Sequence, residues 1–220
     1  MSVSGLFLVL FLLFHMSMNL AAVFSTEAYN AICEFLGANW YALAGTLILA
    51  AGVVVHLVYA TVLTLHNRSS RGSQRYAMTA EPEGVTWDSR NMYVLGIIIV
   101  LGLLLHLYNF WYNMQFAEII GNHELGPFPP ADGAAYIAAL FSSPVYCIIY
   151  LVWFAAIWFH LTHGFWSAFH TIGWDNQTWL PRLKRIANVV ATIVFLCFAL
   201  VVIVFYLRSL GVCGGSCAGF

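Results

Sequence analysis

Five histidines sit inside runs of apolar residues, and their chemistry needs explaining. His15, His56 and His106 each stand alone in a separate run, while His160 and His163 stand one helical turn apart in a fourth. An ionisable side chain in lipid is costly and marks a functional question wherever it occurs. Neutral imidazole binds metals through a ring nitrogen and can also carry a proton. A lone intramembrane histidine is commonly just hydrogen-bonded to a neighbouring helix. A histidine on each of four helices is a pattern.

The elements that must position these rings follow from composition. The chain is 62% hydrophobic and only 8% charged, against roughly 25% charged in ordinary soluble domains. Its main solvent is therefore a lipid bilayer. Five runs reach the ~20 apolar residues that a membrane helix needs: 3–24, 38–65, 92–116, 134–169 and 186–207. The expected fold is an all-α integral membrane protein, five transmembrane helices in one bundle, with 1–220 as a single membrane-embedded domain. The first run reads as a span and not as a secretory signal, because no basic segment precedes it and no small-residue cleavage site follows. The net charge of −1 implies no nucleic acid or other polyanionic partner. Cys33, Cys147, Cys197, Cys213 and Cys217 have no zinc or iron–sulfur spacing. A Cys213–Cys217 disulfide is open but unsupported by spacing alone. No phosphate-cradling glycine loop, internal repeat or Ser/His/Asp arrangement is present.

Charge orients the bundle. Arg68, Arg71, Arg75 and Arg90 fall in the 66–91 connection, and Arg182, Lys184 and Arg185 in the 170–185 connection. The connections 25–37 and 117–133 carry Glu27, Glu34, Glu118, Glu124 and Asp132 and no Lys or Arg. The positive-inside rule makes the basic connections cytoplasmic, with the N-terminus inside and the C-terminus outside. Depths along the alternating helices then sort the histidines into two levels. His15 and His106 share the outer half; His56 and His163 share the inner half. At 1.5 Å per residue the levels lie about 10–20 Å apart. Two stacked haems, each held by imidazoles from two facing helices, fit that arrangement.

Gly52 and Gly102 each precede a histidine by four residues, on the ligand's own face. A porphyrin lying against the helix needs such a gap, although glycine also aids close helix packing in membranes. His160 competes with His163 for the inner site. His163, followed by Gly164, is the preferred ligand; His160 is left to a propionate, a quinone or a neighbouring subunit. His66, His123 and His170 fall at helix ends or in loops. Arg68, Arg71, Arg75, Arg182 and Arg185 are candidates for pairing with haem propionates.

The segment Ser4-Gly-Leu-Phe-Leu-Val-Leu-Phe-Leu-Leu-Phe-His15 with Asn19 and Leu20, the His56 and His106 helices, and the stretch His163 to Gly173 together resemble the dihaem cytochrome b anchor of succinate dehydrogenases and fumarate reductases. The likeness is to the five-helix, single-anchor b558 type and spans nearly the whole chain. It implies His15/His106 as ligands of the distal haem b and His56/His163 as ligands of the proximal haem b. It also implies two partner subunits on the cytoplasmic face, a flavoprotein with covalent FAD and an iron–sulfur protein. Membrane quinone, menaquinone or ubiquinone, would be the redox substrate, and the assembly a dimer of heterotrimers in a bacterial cytoplasmic membrane. No dicarboxylate chemistry would occur in this chain.

Some members of that family carry a glutamate two residues before the fourth ligand; here that position is Leu161. A proton path through that helix is therefore in doubt. Glu27 and Glu34 lie near the spacing of the family's quinone-site glutamate, but each also reads as an ordinary loop carboxylate. Two alternatives remain. One is a dihaem anchor for a hydrogenase or formate dehydrogenase. The other is a haem-free transporter that uses the histidines as a proton relay, against which stand the lack of intramembrane carboxylates and of an inverted repeat.

Overall fold

A computed structural model describes residues 1–37, 39–70, 87–174 and 176–212. Arg71, Arg75, Pro82, Cys213 and Cys217 fall outside the described residues. Among those described the fold is entirely helical. In chain order the helices are α1 (Ser2–Phe24), α2 (Thr26–Phe35), α3 (Trp40–Ser70), α4 (Trp87–Ile119), α5 (Gly133–Phe141), α6 (Pro144–Thr171) and α7 (Trp179–Ser209). Five of them, α1, α3, α4, α6 and α7, are long and apolar enough to cross a membrane.

The spine of the bundle is the antiparallel pair α6 and α7, the most extensive helix–helix contact in the molecule. Its cause is legible in α7. Buried Ala187, Ala191, Val194, Phe198, Val201 and Phe205 recur at alternating spacings of four and three, which keeps one stripe facing the partner. In α6, Cys147, Tyr150, Phe154, Leu161 and Ala168 form the matching stripe. Ala187 and Ala191 bring the backbones close, the packing device available in lipid where burial itself drives little association. α1 leans on both α6 and α7, and α4 packs on α6. α3 stands apart. It has no buried residue, rests on α1 and touches α4 only lightly.

Three features depart from the sequence expectation. The run 134–169 is not one helix but two, α5 and α6, broken at Ser142 and Ser143. Pro144 is the cause: it occupies the first turn of α6 and holds Ser143 extended (φ −89°, ψ 120°), since the residue before proline avoids the helical region. The acidic 25–37 connection also contains a helix, α2, capped by the Ser25 side chain accepting from the Ala28 N–H at 3.1 Å. Spans α3, α4 and α7 extend further into the basic connections than expected, to Ser70, from Trp87 and from Trp179, so Arg182, Lys184 and Arg185 stand on α7 itself.

α2 and α5 together close the acidic end of the bundle. The Asn30 amide donates to Asp132 at 2.7 Å and accepts from the Ala134 N–H at 2.9 Å, while Asp132 also accepts from the Ala135 N–H at 3.2 Å. One asparagine on α2 thus completes the N-terminal cap of α5. Glu118, at the end of α4, packs directly over Gly37, where any side chain would collide with its carboxylate. Arg208 donates to the Val23 carbonyl at 2.8 Å and lies 5.1 Å from the Phe205 ring, tying the end of α7 to the end of α1.

Candidate functional site: two imidazole pairs in the bundle

The histidines fall at two levels. His15 on α1 and His106 on α4 face each other near the acidic end, ring centroids 5.7 Å apart and planes at 88°. His56 on α3 and His160 on α6 face each other near the basic end, centroids 6.4 Å apart and planes at 70°. Gly5 of α1 abuts His56 and Gly96 of α4 abuts His160. His15 and His106 each lie ten residues further along those same helices, so the two levels are about 15 Å apart at 1.5 Å per residue.

The acidic-end pair is walled by aromatic rings. Phe11 stacks on His15 at 5.4 Å, and Phe198 of α7 lies 5.9 Å from it. Phe110, Tyr150 and Trp153 surround His106 at 5.1, 6.3 and 5.7 Å. Asn109 donates to the Tyr150 hydroxyl at 3.2 Å. On α1 the Asn19 amide donates to the His15 carbonyl at 2.8 Å and lies 3.3 Å from His15 Nε2, while the Tyr29 hydroxyl of α2 donates to Asn19 at 3.1 Å. A polar chain therefore runs from the α2 lid to the first histidine.

Immediately after His106 the helix widens into a ten-residue π-helical stretch, Leu107–Phe116. Such segments are rare and recur at functional sites. The Asn113 amide donates to the Tyr108 and Asn109 carbonyls at 3.0 and 3.1 Å, bonds that suit a loosened backbone. Tyr108, Tyr112 and Phe116 stack in one column, at 6.0 and 5.5 Å. Gln115 accepts from Thr46 of α3 at 2.9 Å and from Trp111 at 2.8 Å, and donates to the Gly37 carbonyl at 3.2 Å.

The basic-end pair is more open. His56 Nδ1 lies 3.3 Å from the Ser4 hydroxyl. The Met92 carbonyl lies against the His160 ring. His163, the expected partner of His56, is instead turned to α4. Its Nδ1 is 4.0 Å from Asp88, beyond hydrogen-bond range, and its ring is 5.0 Å from Trp166, over which Lys184 sits at 4.6 Å. The structure thus brings His56 together with His160 and leaves His163 one turn nearer the basic end. The reason is tertiary: both rings project from the same side of α6, so spacing along the chain alone does not say which stands opposite His56.

Gly52 and Gly102 do not border the imidazoles. Each receives an aromatic ring from a neighbouring helix, Phe7 of α1 at 2.7 Å from a Cβ built on Gly52, and the Trp153 indole at Gly102. Trp153 is held there by donating to the Ile99 carbonyl at 3.1 Å. The glycines beside the rings are Gly5 and Gly96, which spacing from the histidine alone does not pick out. Glu27 and Glu34 are exposed on α2, away from either pair. His66, His123 and His170 are also exposed. Arg68, Arg182 and Arg185 lie at the basic end, and Arg182 stacks over Trp179 at 5.5 Å.

The pairs stand at a spacing two axial bonds to a haem iron would need, while the Gly52 and Gly102 gaps are filled by Phe7 and Trp153. No group of three or more His, Cys, Asp or Glu able to hold a bare ion exists among the described residues, and each level offers two imidazoles. Two metal–imidazole bonds of ~2 Å in line, with the ring radii added, separate the centroids by about 6 Å. Both pairs stand close to that distance. His106, His160 and His163 each have a buried Nδ1 without a hydrogen-bond partner, a costly state for a polar atom. No family model, curated protein or solved structure matches the chain.

Proposed function

We propose that the chain is the membrane anchor and electron-transfer subunit of a succinate:quinone oxidoreductase, holding two b-type haems in series across the bilayer. The observation that carries this reading is the pairing of imidazoles from different helices at two depths, His15 with His106 and His56 with His160. Bound haem supplies a one-electron iron couple at each level. The protein's own share is to set the axial ligands, exclude water and fix the spacing of about 15 Å that lets an electron pass between levels.

The basic end is the docking face for the flavoprotein and iron–sulfur subunits in this reading, on the cytoplasmic side of a bacterial membrane. Arg182, Lys184 and Arg185 stand in the first turns of α7, where the helix dipole disfavours cations. Their position is better explained by an external partner or anionic headgroups than by helix stability. Relative to the family resemblance, the inner ligand moves from His163 to His160. Two residues before His160 stands Trp158, so this assignment too leaves the helix without the glutamate found in some members. The acidic end, sealed by α2 and α5, adjoins the outer haem and is where quinone would exchange electrons with it.

The test is haem content and reduction of the purified complex. The expected result is two b haems per chain with bis-histidine spectra, reduced by succinate through the partner subunits and reoxidised by quinone. A protein without haem overturns the reading.

A further inference from the structure

Ser4 has one hydroxyl proton to give. It donates that proton to the Met1 carbonyl at 2.8 Å, the i−3 bond of a serine in the first turn of a helix. Only lone pairs then remain on the oxygen, and His56 Nδ1 lies 3.3 Å from it. With iron on Nε2 the ring proton belongs on Nδ1, and Ser4 Oγ, its own proton directed to Met1, is then placed to accept it. Ring placement agrees: the Cε1 and Nδ1 atoms of His56 lie at 3.5 and 3.8 Å from a Cβ built on Gly5, so the Nδ1–Cε1 edge faces α1. Nε2 is not among the ring atoms within 4 Å of that Cβ and stays free of α1 there.

The other histidines lack a hydroxyl at Nδ1: His106, His160 and His163 have no partner there, the polar neighbour of the His160 ring is the Met92 carbonyl, and that of His15 is Asn19, a donor to its Nε2 side. We propose that Ser4 is the positioning residue of the inner site, holding His56 as its Nδ1–H tautomer and presenting Nε2 across the gap to His160. This rests on the dihaem reading and extends it by naming what tunes one haem and not the other. A ligand imidazole that donates from its second nitrogen is better oriented and more basic. A more basic ligand favours ferric over ferrous iron, so Ser4 lowers the potential of the inner haem relative to the outer. Gly5 next to it keeps the approach of α1 to the ring unobstructed.

The test uses the full complex carrying Ser4→Ala, Ser4→Thr and Ser4→Asp, with haem content, potentiometric titration of both haems and their low-temperature EPR signals as readouts. Ser4→Ala is expected to raise the inner haem's midpoint potential and shift its EPR signal while the outer haem stays fixed. Ser4→Thr restores the wild-type values, and Ser4→Asp, a stronger acceptor, shifts the potential below wild type. If Ser4→Ala releases the inner haem, retention of that haem at the wild-type potential in Ser4→Thr supports the proposal, and its loss there too overturns it. An unchanged inner potential in Ser4→Ala, or an equal shift of both haems, overturns the proposal while leaving the dihaem reading in place. A wild-type complex without haem removes both.

Discussion

The two ends of the bundle are built differently. Around His15 and His106 the chain supplies a continuous core in which Tyr29, Phe141, Tyr150, Phe154, Val194, Phe198 and Val202 are all buried, with α2 and α5 clamped over it. Around His56 and His160 the buried cluster shrinks to Val9, Leu161 and Ala191, and α3 contributes no buried residue. The acidic end is the more densely packed and the basic end the more open. In the proposed function each level holds a haem, and the basic end also meets two partner subunits and lipid.

Substitutions that probe the contrast should follow that order. Trp153→Ala removes a ring that fills the Gly102 notch and packs on His106, Tyr150 and Phe154. It is expected to cost about 3–5 kcal/mol, the range for large aromatic truncations in packed cores. Leu161→Ala, in the sparser cluster, should fall near the low end of its class, about 2 kcal/mol, because neighbours there can collapse into the space. Detergent-unfolding midpoints compare the two directly, and equal costs would break the contrast. Asp132→Ala takes away the α5 cap and the Asn30 contact together and should cost about 1–2 kcal/mol, read as faster proteolysis of the α2 and α5 lid.

The gentlest probe is Cys33, a thiol beneath the lid. Burial pushes its pKa up to about 11, against smaller opposing pulls from hydrogen bonds with Tyr29 and Gly133. The raised value means the reactive thiolate is scarce at neutral pH and grows as pH climbs toward 11. At pH 8 the thiolate fraction should be about a hundredfold below that of an unperturbed cysteine. Maleimide labelling should accelerate about tenfold per pH unit above 8. Opening the lid with Asp132→Ala should erase much of that protection without altering haem content.

Much of this was legible in the chain. Five apolar runs announced five spans, and the imidazole levels followed from counting residues along alternating helices. His15 and His106 met as expected. What escaped was tertiary or local. The 134–169 run hid its break because an apolar count does not weigh the Ser143–Pro144 geometry. α2 was missed because a ten-residue amphipathic segment, with Tyr29 buried and Glu27 and Glu34 exposed, is too short and too polar on average to register as a span. His160 and His163 differ by about 4.5 Å along one face of α6, a difference too small for residue counting to say which stands opposite His56. Ser4 did leave a trace: it precedes His15 by eleven residues and His15 precedes Asn19 by four, spacings that put all three on one stripe of α1.

The most direct measurement is haem stoichiometry in the purified complex with His160→Ala and His163→Ala compared side by side. The account predicts that His160→Ala falls from two haems to one, losing the inner haem alone, and that His163→Ala keeps both. Loss of the inner haem in His163→Ala with retention in His160→Ala would contradict the pairing on which the site is built.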